Sequence, residues 1–309
     1  MENECQLFSI RGLLKSCCMH ADNLEVQGPH ALTYKVYKEN MREGKSSTVF
    51  MNVASLEFFC EKILPKIKAP IVLVTGDSDI RIPNVRIDIR LVDRLLQHPK
   101  IKKWYCQNLC YSRERLCPLP IGLDYHTLSF MEKWGEQQVS PKSQEERLIQ
   151  IKEKSNPFWE RQPKCYINFK GCMSHENGEP IDHAGLRQAA LDDIDPDVCF
   201  IETEKISRTN SWRRQTDYAF VVSPPGNGLD CHRTWEALNL GCIPIIMRVR
   251  VTEEAEWQTS CYDDLPILIV ENWRDITNHL LSTTISRFRE KKFNYDKLTL
   301  KYWVDKIHE

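Results

Sequence analysis

The chain carries no excess of charge of either sign. Its 42 Lys and Arg stand against 43 Asp and Glu over 309 residues, a formal net charge of -1. So balanced a surface gives no general attraction to polyanions, which argues against nucleic acid and anionic membrane as partners. No stretch comes near the roughly 20 consecutive apolar residues that a membrane-spanning helix needs, so no membrane span is expected. There is no basic-then-apolar leader, and the 13 cysteines are scattered and odd in number. They read as mostly free thiols in a reducing, cytoplasmic setting. Cys106, Cys110 and Cys117 lack a second CxxC half or a following His pair, so no zinc site is expected of them. Internal repeats and low-complexity tracts are also missing.

What is there suits two α/β domains, each large enough to bury a core. SSTVFMN (46–52) reads as a strand, and ASLEFFCEKILPKI (54–67) carries apolar residues at helical spacing before Pro70. IVLVTGDSD (71–79) is a continuous β-branched run ending in Gly and Asp, the pattern of a buried parallel strand opening into a loop. A helix over 91–96, a strand in KKWYCQNL and an edge or cleft segment in LCPLPIGLDYHT (116–127) complete the first half. PKSQEERLIQIKEK (141–154) is so charged that it reads as a solvated helix or linker, which puts a domain boundary at residue 150. Beyond it, strands in KCYINFKG, DYAFVVSPPG, CIPIIM and LPILIV alternate with helices in HAGLRQAALDDI, DCHRTWEALNL and ITNHLLSTTI. That alternation predicts a parallel sheet. The expected domains are 1–150 and 151–290, with 291–309 holding an amphipathic helix.

The chemistry concentrates in FVVSPPGNGLDCHRTWEALNLGCIPII (220–246), where an apolar strand runs into a Pro-Gly-Asn-Gly turn. Asp230 is placed to cap a helix that ends at Gly241. Gly226, Asn227 and Gly228 let backbone approach a ligand, and a helix N-terminus offers unpaired N–H groups to an anion. Arg233 and Glu236, three apart on one face, suit phosphate oxygens and ribose hydroxyls respectively. The plainer reading has Arg233 and Glu236 pair with each other while Trp235 fills the core. The turn has no third glycine at the spacing of the dinucleotide fingerprint, which argues against a nicotinamide-dependent oxidoreductase.

The run from Ser223 to Ile246 resembles the exostosin-like glycosyltransferase family: strand, Pro/Gly turn, acidic residue, Arg, Glu-Ala-Leu, then Gly-Cys-Ile-Pro. LPILIVENWRDI (265–276) is similar to the family's following strand and YINF (166–169) to an earlier one, while VLVTGDSD and LPIGLDYHT are similar to first-half segments of its compact members. The resemblance implies a GT-B architecture: two Rossmann-like domains with a cleft between them, the donor held by the second, and the last helix crossing back onto the first. It further implies a UDP-sugar donor, with UDP-xylose suggested by analogy with the compact members. Transfer to an oligosaccharide or glycoprotein glycan would invert the anomeric centre. Glu236 takes the ribose role and Arg233 the diphosphate role. The chain departs from the animal members in having no membrane anchor and no second catalytic module, which argues against polymerase activity and a Golgi location.

Further donor-side candidates are Lys170 and Asn168 at the end of the YINF strand, Arg187 on the next helix, Ser223 and Asp230. An acceptor hydroxyl needs a general base, for which the first half offers Asp77 and Asp79 after a buried strand and Asp124 and His126 in a loop. Asp79 is preferred among them. Asp77-Ser78-Asp79 also has the form of a DxD metal motif, but the longer match in the second half makes no divalent metal a requirement. The rival of a different class is a non-catalytic nucleotide- or carbohydrate-binding module built on the same helix.

Overall fold

The β-branched runs become central strands. The structure is a computed structural model, and it describes residues 2–21, 47–84, 87–170, 185–253 and 255–309. The chain divides into two compact units, one made of Met1–Ile121, Arg250–Cys261 and Thr299–Glu309, the other of Gly122–Val249 and Tyr262–Leu298.

In the first unit β1 (Ser47–Met51), β2 (Ile71–Thr75), β3 (Ile101–Gln107) and β4 (Leu116–Leu119) lie in that order, all parallel. Every residue of β1 and β2 is buried, as a sheet covered on both faces requires. β4 takes the edge, where Pro118, which cannot donate to a ladder, is tolerated. Helices α1 (Ile10–Ser16) and α2 (Ile89–Gln97) belong to this unit, α2 capped by the Asp88 carboxylate on the Leu91 amide at 2.8 Å. The expected helix over 54–67 is present but irregular, passing through 3-10, α and π segments. Its last piece begins around Pro65, which has no N–H to continue a ladder. The closing helix, Leu300–His308, packs within this unit: Leu300 N donates to the Gln6 carbonyl at 2.8 Å, and the Tyr105 hydroxyl donates to the Lys306 carbonyl at 2.7 Å.

The second unit holds β5 (Gln162–Ile167), β6 (Cys199–Ile201), β7 (Tyr218–Val222), β8 (Ile243–Met247) and β9 (Leu268–Val270), in the order β6-β5-β7-β8-β9 and again all parallel. Around it lie α3 (His126–Phe130), α4 (Pro141–Glu153), α5 (Leu186–Asp193), α6 (Arg208–Gln215), α7 (His232–Asn239) and α8 (Asn278–Glu290). The molecule is thus α/β with a parallel sheet in each unit. β6, only three residues long, has no counterpart in the sequence reading. It matters because the chain leaves β5 on one side for β6 and returns on the other for β7. The order therefore reverses between β5 and β7, and in open α/β sheets that reversal, at the carboxyl ends of the strands, is where ligands bind.

Two expectations are corrected. Residues 141–154 are neither linker nor boundary: α4 lies inside the second unit with Gln144, Glu145 and Leu148 buried, and the units change over at Ile121/Gly122. The charged sequence hid this because the buried polar groups are satisfied, Gln144 donating to the Tyr125 carbonyl at 2.8 Å and Glu145 pairing with Lys142 at 2.7 Å. The N-cap of α7 is Cys231 and not Asp230. At its other end Gly241 adopts φ +73°, the left-handed closing residue expected there. No described helix is long and apolar enough to cross a membrane, and the described cysteines are free thiols.

Candidate functional site

β5 and β7 end side by side in Asn168-Phe169-Lys170 and Ser223-Pro224-Pro225. The turn after β7 is tight, with Gly226 N donating to the Gly228 carbonyl at 2.8 Å. Two guanidiniums converge on it. Arg187, from α5, donates through Nε to the Pro225 carbonyl at 3.0 Å, and Arg233, from the first turn of α7, donates through Nη1 to the Pro224 carbonyl at 3.3 Å. A Cβ on Gly226 would stand 3.1 Å from Arg187 Nη2 and 2.9 Å from Cys231 Sγ, so a methyl there would have to push both side chains aside. The ring of Phe169 lies 5.1 Å beneath the Arg233 guanidinium.

Among the described residues neither arginine has a carboxylate partner. Burial pulls Arg233 down to about 10; Cys231 and Glu236 pull it back up, while the Arg187 charge adds to the drop. Two cations with no carboxylate partner among the described residues, beside the N-terminus of an eight-residue helix, are an arrangement suited to an anion.

One turn along α7, Glu236 does not pair with Arg233 as the plainer reading had it. Its Oε1 accepts from Arg208 Nη2 at 2.6 Å and Nε at 2.9 Å, and Arg208 also donates to Gln144 Oε1 at 3.0 Å. The Arg208 guanidinium lies over two indoles, Trp134 at 5.1 Å and Trp212 at 4.7 Å. Glu236 Oε2 has no partner among the described residues and is left to accept hydroxyls.

Several donor-side candidates turn inward. Asp230 is buried and takes the Trp235 indole N–H at 2.9 Å and the Tyr262 hydroxyl at 2.5 Å; it braces α7 from inside. Ser223 is buried and shares a hydrogen bond with the Thr234 hydroxyl at 2.8 Å. Asn168 donates to the Ser211 hydroxyl. Asn227 is half-buried at the tip of the turn, and Lys170 is exposed beyond β5.

The four base candidates separate. Asp77, at φ +52°, is locked in the first unit by an ion pair with Arg11 at 3.0 Å, and Asn52 and Gln107 hold its backbone carbonyl and amide. Asp79 follows in the same loop and is exposed. Among the described residues no three His, Cys, Asp or Glu gather as metal ligands, and both Asp77 oxygens face Arg11.

Asp124 and His126 belong to the second unit. The buried Asp124 carboxylate accepts from Thr127 N at 2.9 Å and Thr127 Oγ1 at 2.8 Å, with His126 Nδ1 at 3.1 Å. Burial opposes its ionisation, yet His126, His232, Arg208 and the Thr127 amide together hold it far below the usual carboxylate range. His232, the first residue of α7, has its ring 6.1 Å from that of His126, and its Nδ1 lies 2.7 Å from the Gly122 carbonyl. A carbonyl only accepts, so His232 Nδ1 carries a proton.

Sequence reasoning missed Arg208, His232 and Gln144. His232 stands inside the motif that drew attention and is legible as the first helical residue. Arg208 is one of three arginines in RTNSWRRQ, and nothing in that spacing singles it out.

No family model and no curated protein matches the chain. Among solved structures, one described as trehalose-6-phosphate from E. coli bound with UDP-2-fluoro glucose is similar over 89% of this chain and 72% of that one, at 10% identity and a TM-score of 0.36. A likeness of that size says nothing about activity.

Proposed function

We propose that the chain is a glycosyltransferase that moves a sugar from a UDP-sugar, with UDP-xylose the first donor to try, to a hydroxyl of a glycan acceptor. The observation that carries this reading is the pair Arg187 and Arg233, without carboxylate partners among the described residues, converging on the Pro224–Gly228 turn at the strand-order reversal. A diphosphate satisfies both cations and the α7 N–H groups. Glu236, about 4.5 Å further along the helix axis at three residues' rise, then meets the ribose through Oε2.

In the step itself an acceptor oxygen bonds to the anomeric carbon as the bond from that carbon to the UDP oxygen breaks, with inversion. His126 takes the hydroxyl proton. Asp124 fixes its Nδ1–H tautomer and stabilises the imidazolium, the division of labour of an Asp–His pair. Arg187 and Arg233 neutralise the charge that develops on the departing diphosphate. No divalent metal is assigned a role.

The test is UDP release from a panel of UDP-sugars with and without glycan acceptors. Release above the blank, lost in Glu236→Ala, supports the assignment, whereas a binding module releases none. Replacing His126 with Ala should lower kcat by about 10²- to 10⁴-fold and leave UDP affinity intact; an unchanged kcat removes His126 as the base.

A further inference from the structure

Trp134 combines features that the site as described does not use. It is 39% exposed, one of the large apolar side chains left at the surface. It occupies the first central position of a two-residue hairpin turn, where Lys133 and Glu136 exchange backbone hydrogen bonds of 3.2 and 3.0 Å. Trp134 and Gly135 adopt φ +54° and +71°. Asn-Gly or Asp-Gly suits such a turn, and a bulky aromatic there is strained. The strain is held in place from several sides: Arg208 N donates to the Trp134 carbonyl at 3.1 Å, Glu136 accepts from Thr209 N, and Arg147 pairs with Glu136 at 2.9 Å. The tip is therefore fixed against the start of α6, with its indole turned to solvent. The ring's charged neighbours are Arg208, at 5.1 Å, and the exposed Lys133 ammonium, at 5.4 Å.

Position supplies the ligand. A nucleoside diphosphate is ordered phosphate, ribose, base. Along the second unit the proposed contacts run in the same order: Arg187, Arg233 and the turn, then Glu236, then Arg208 bound to Glu236 on one side and lying over Trp134 on the other. We infer that the Trp134 indole is the platform on which the nucleobase of the donor stacks, with Arg208 clamping both Glu236 and the ring. This rests on the donor site proposed above. Stacking on an indole requires no particular base edge, so the platform supplies affinity while base identity is read elsewhere.

Calorimetric titration of the full chain with UDP and with inorganic pyrophosphate separates the parts. Trp134→Ala should weaken UDP binding on the order of tenfold, the size of a lost base–aromatic stack, and leave pyrophosphate binding as in the wild type. Trp134→Phe, which keeps a flat ring, should recover most of the UDP affinity. If Trp134→Ala binds UDP as the wild type does while Glu236→Ala does not, the platform is wrong and the donor site stands. Equal loss of UDP and pyrophosphate would mean that the indole props up the unit and does not hold a base, which also overturns the inference. A wild-type chain that binds neither ligand removes the donor reading and the platform with it.

Discussion

At the scale of single residues, the decisive fact is which groups Glu236 and Arg233 do not pair with. On the sequence they stand three apart on one helical face, and a mutual salt bridge is the economical guess. In the structure Arg208, contributed by α6, takes Glu236 instead, which leaves Arg233 to the turn. The Arg208–Glu236 pair is largely buried, and removing one partner of such a pair strands the other charge. Arg208→Ala should therefore destabilise the chain by about 3–5 kcal/mol, and the double replacement Arg208→Ala with Glu236→Ala by less than the sum, as measured by chemical denaturation.

Asp124 makes a pH prediction. Its folded-state pKa is depressed, so its contribution is complete above the unfolded carboxylate value of about 4 and is lost as pH falls below it. Thermal melts should show the wild type losing stability more steeply below that pH than Asp124→Asn does; parallel curves would show that the carboxylate is not held in its charged form. The Arg208–Glu236 pair was not legible beforehand, because a charge partner 28 positions away leaves no local pattern. The motif's own residues were legible as a set, but Asp230 and Ser223 were misread as ligand-facing when they brace the helix.

At the scale of elements, strands were the easiest to read. Runs such as IVLVT and YAFVV are apolar without interruption because both faces of a parallel strand are covered. Helix α4 was the hardest, since its buried Gln144 and Glu145 look like solvent residues until their partners are seen. Two glycines sharpen the account of α7. At its C-terminal end Gly241 is left-handed, and Gly241→Ala should cost about 1–2 kcal/mol in denaturation experiments, with donor binding retained. Before its N-terminal end Gly226 is different. A methyl there collides with Cys231 and pushes on Arg187, so Gly226→Ala should weaken UDP binding far more than it lowers the melting temperature. A variant that melts early and binds normally would contradict the role given to the turn.

At the scale of the molecule, two parallel α/β units were expected from alternating strands and helices, and two are present. The boundary moved to Ile121/Gly122, which transfers Asp124, His126 and α4 to the second unit. That transfer changes the functional argument. Arg187, Arg233, Glu236 and the Asp124–His126 pair all come from one unit, whereas the sequence reading drew its base from the other. β6, invisible in the sequence, creates the strand-order reversal at which Arg187 and Arg233 converge.

The central claim is that this reversal binds a nucleotide diphosphate through Arg187 and Arg233, which have no carboxylate partner among the described residues. Titrating UDP into the wild type, Arg187→Ala, Arg233→Ala and the double variant tests it most directly. The account predicts saturable wild-type binding, a loss of at least about tenfold per arginine as expected for charge-assisted hydrogen bonds, and none detectable in the double variant. Equal affinity across the four proteins would contradict it.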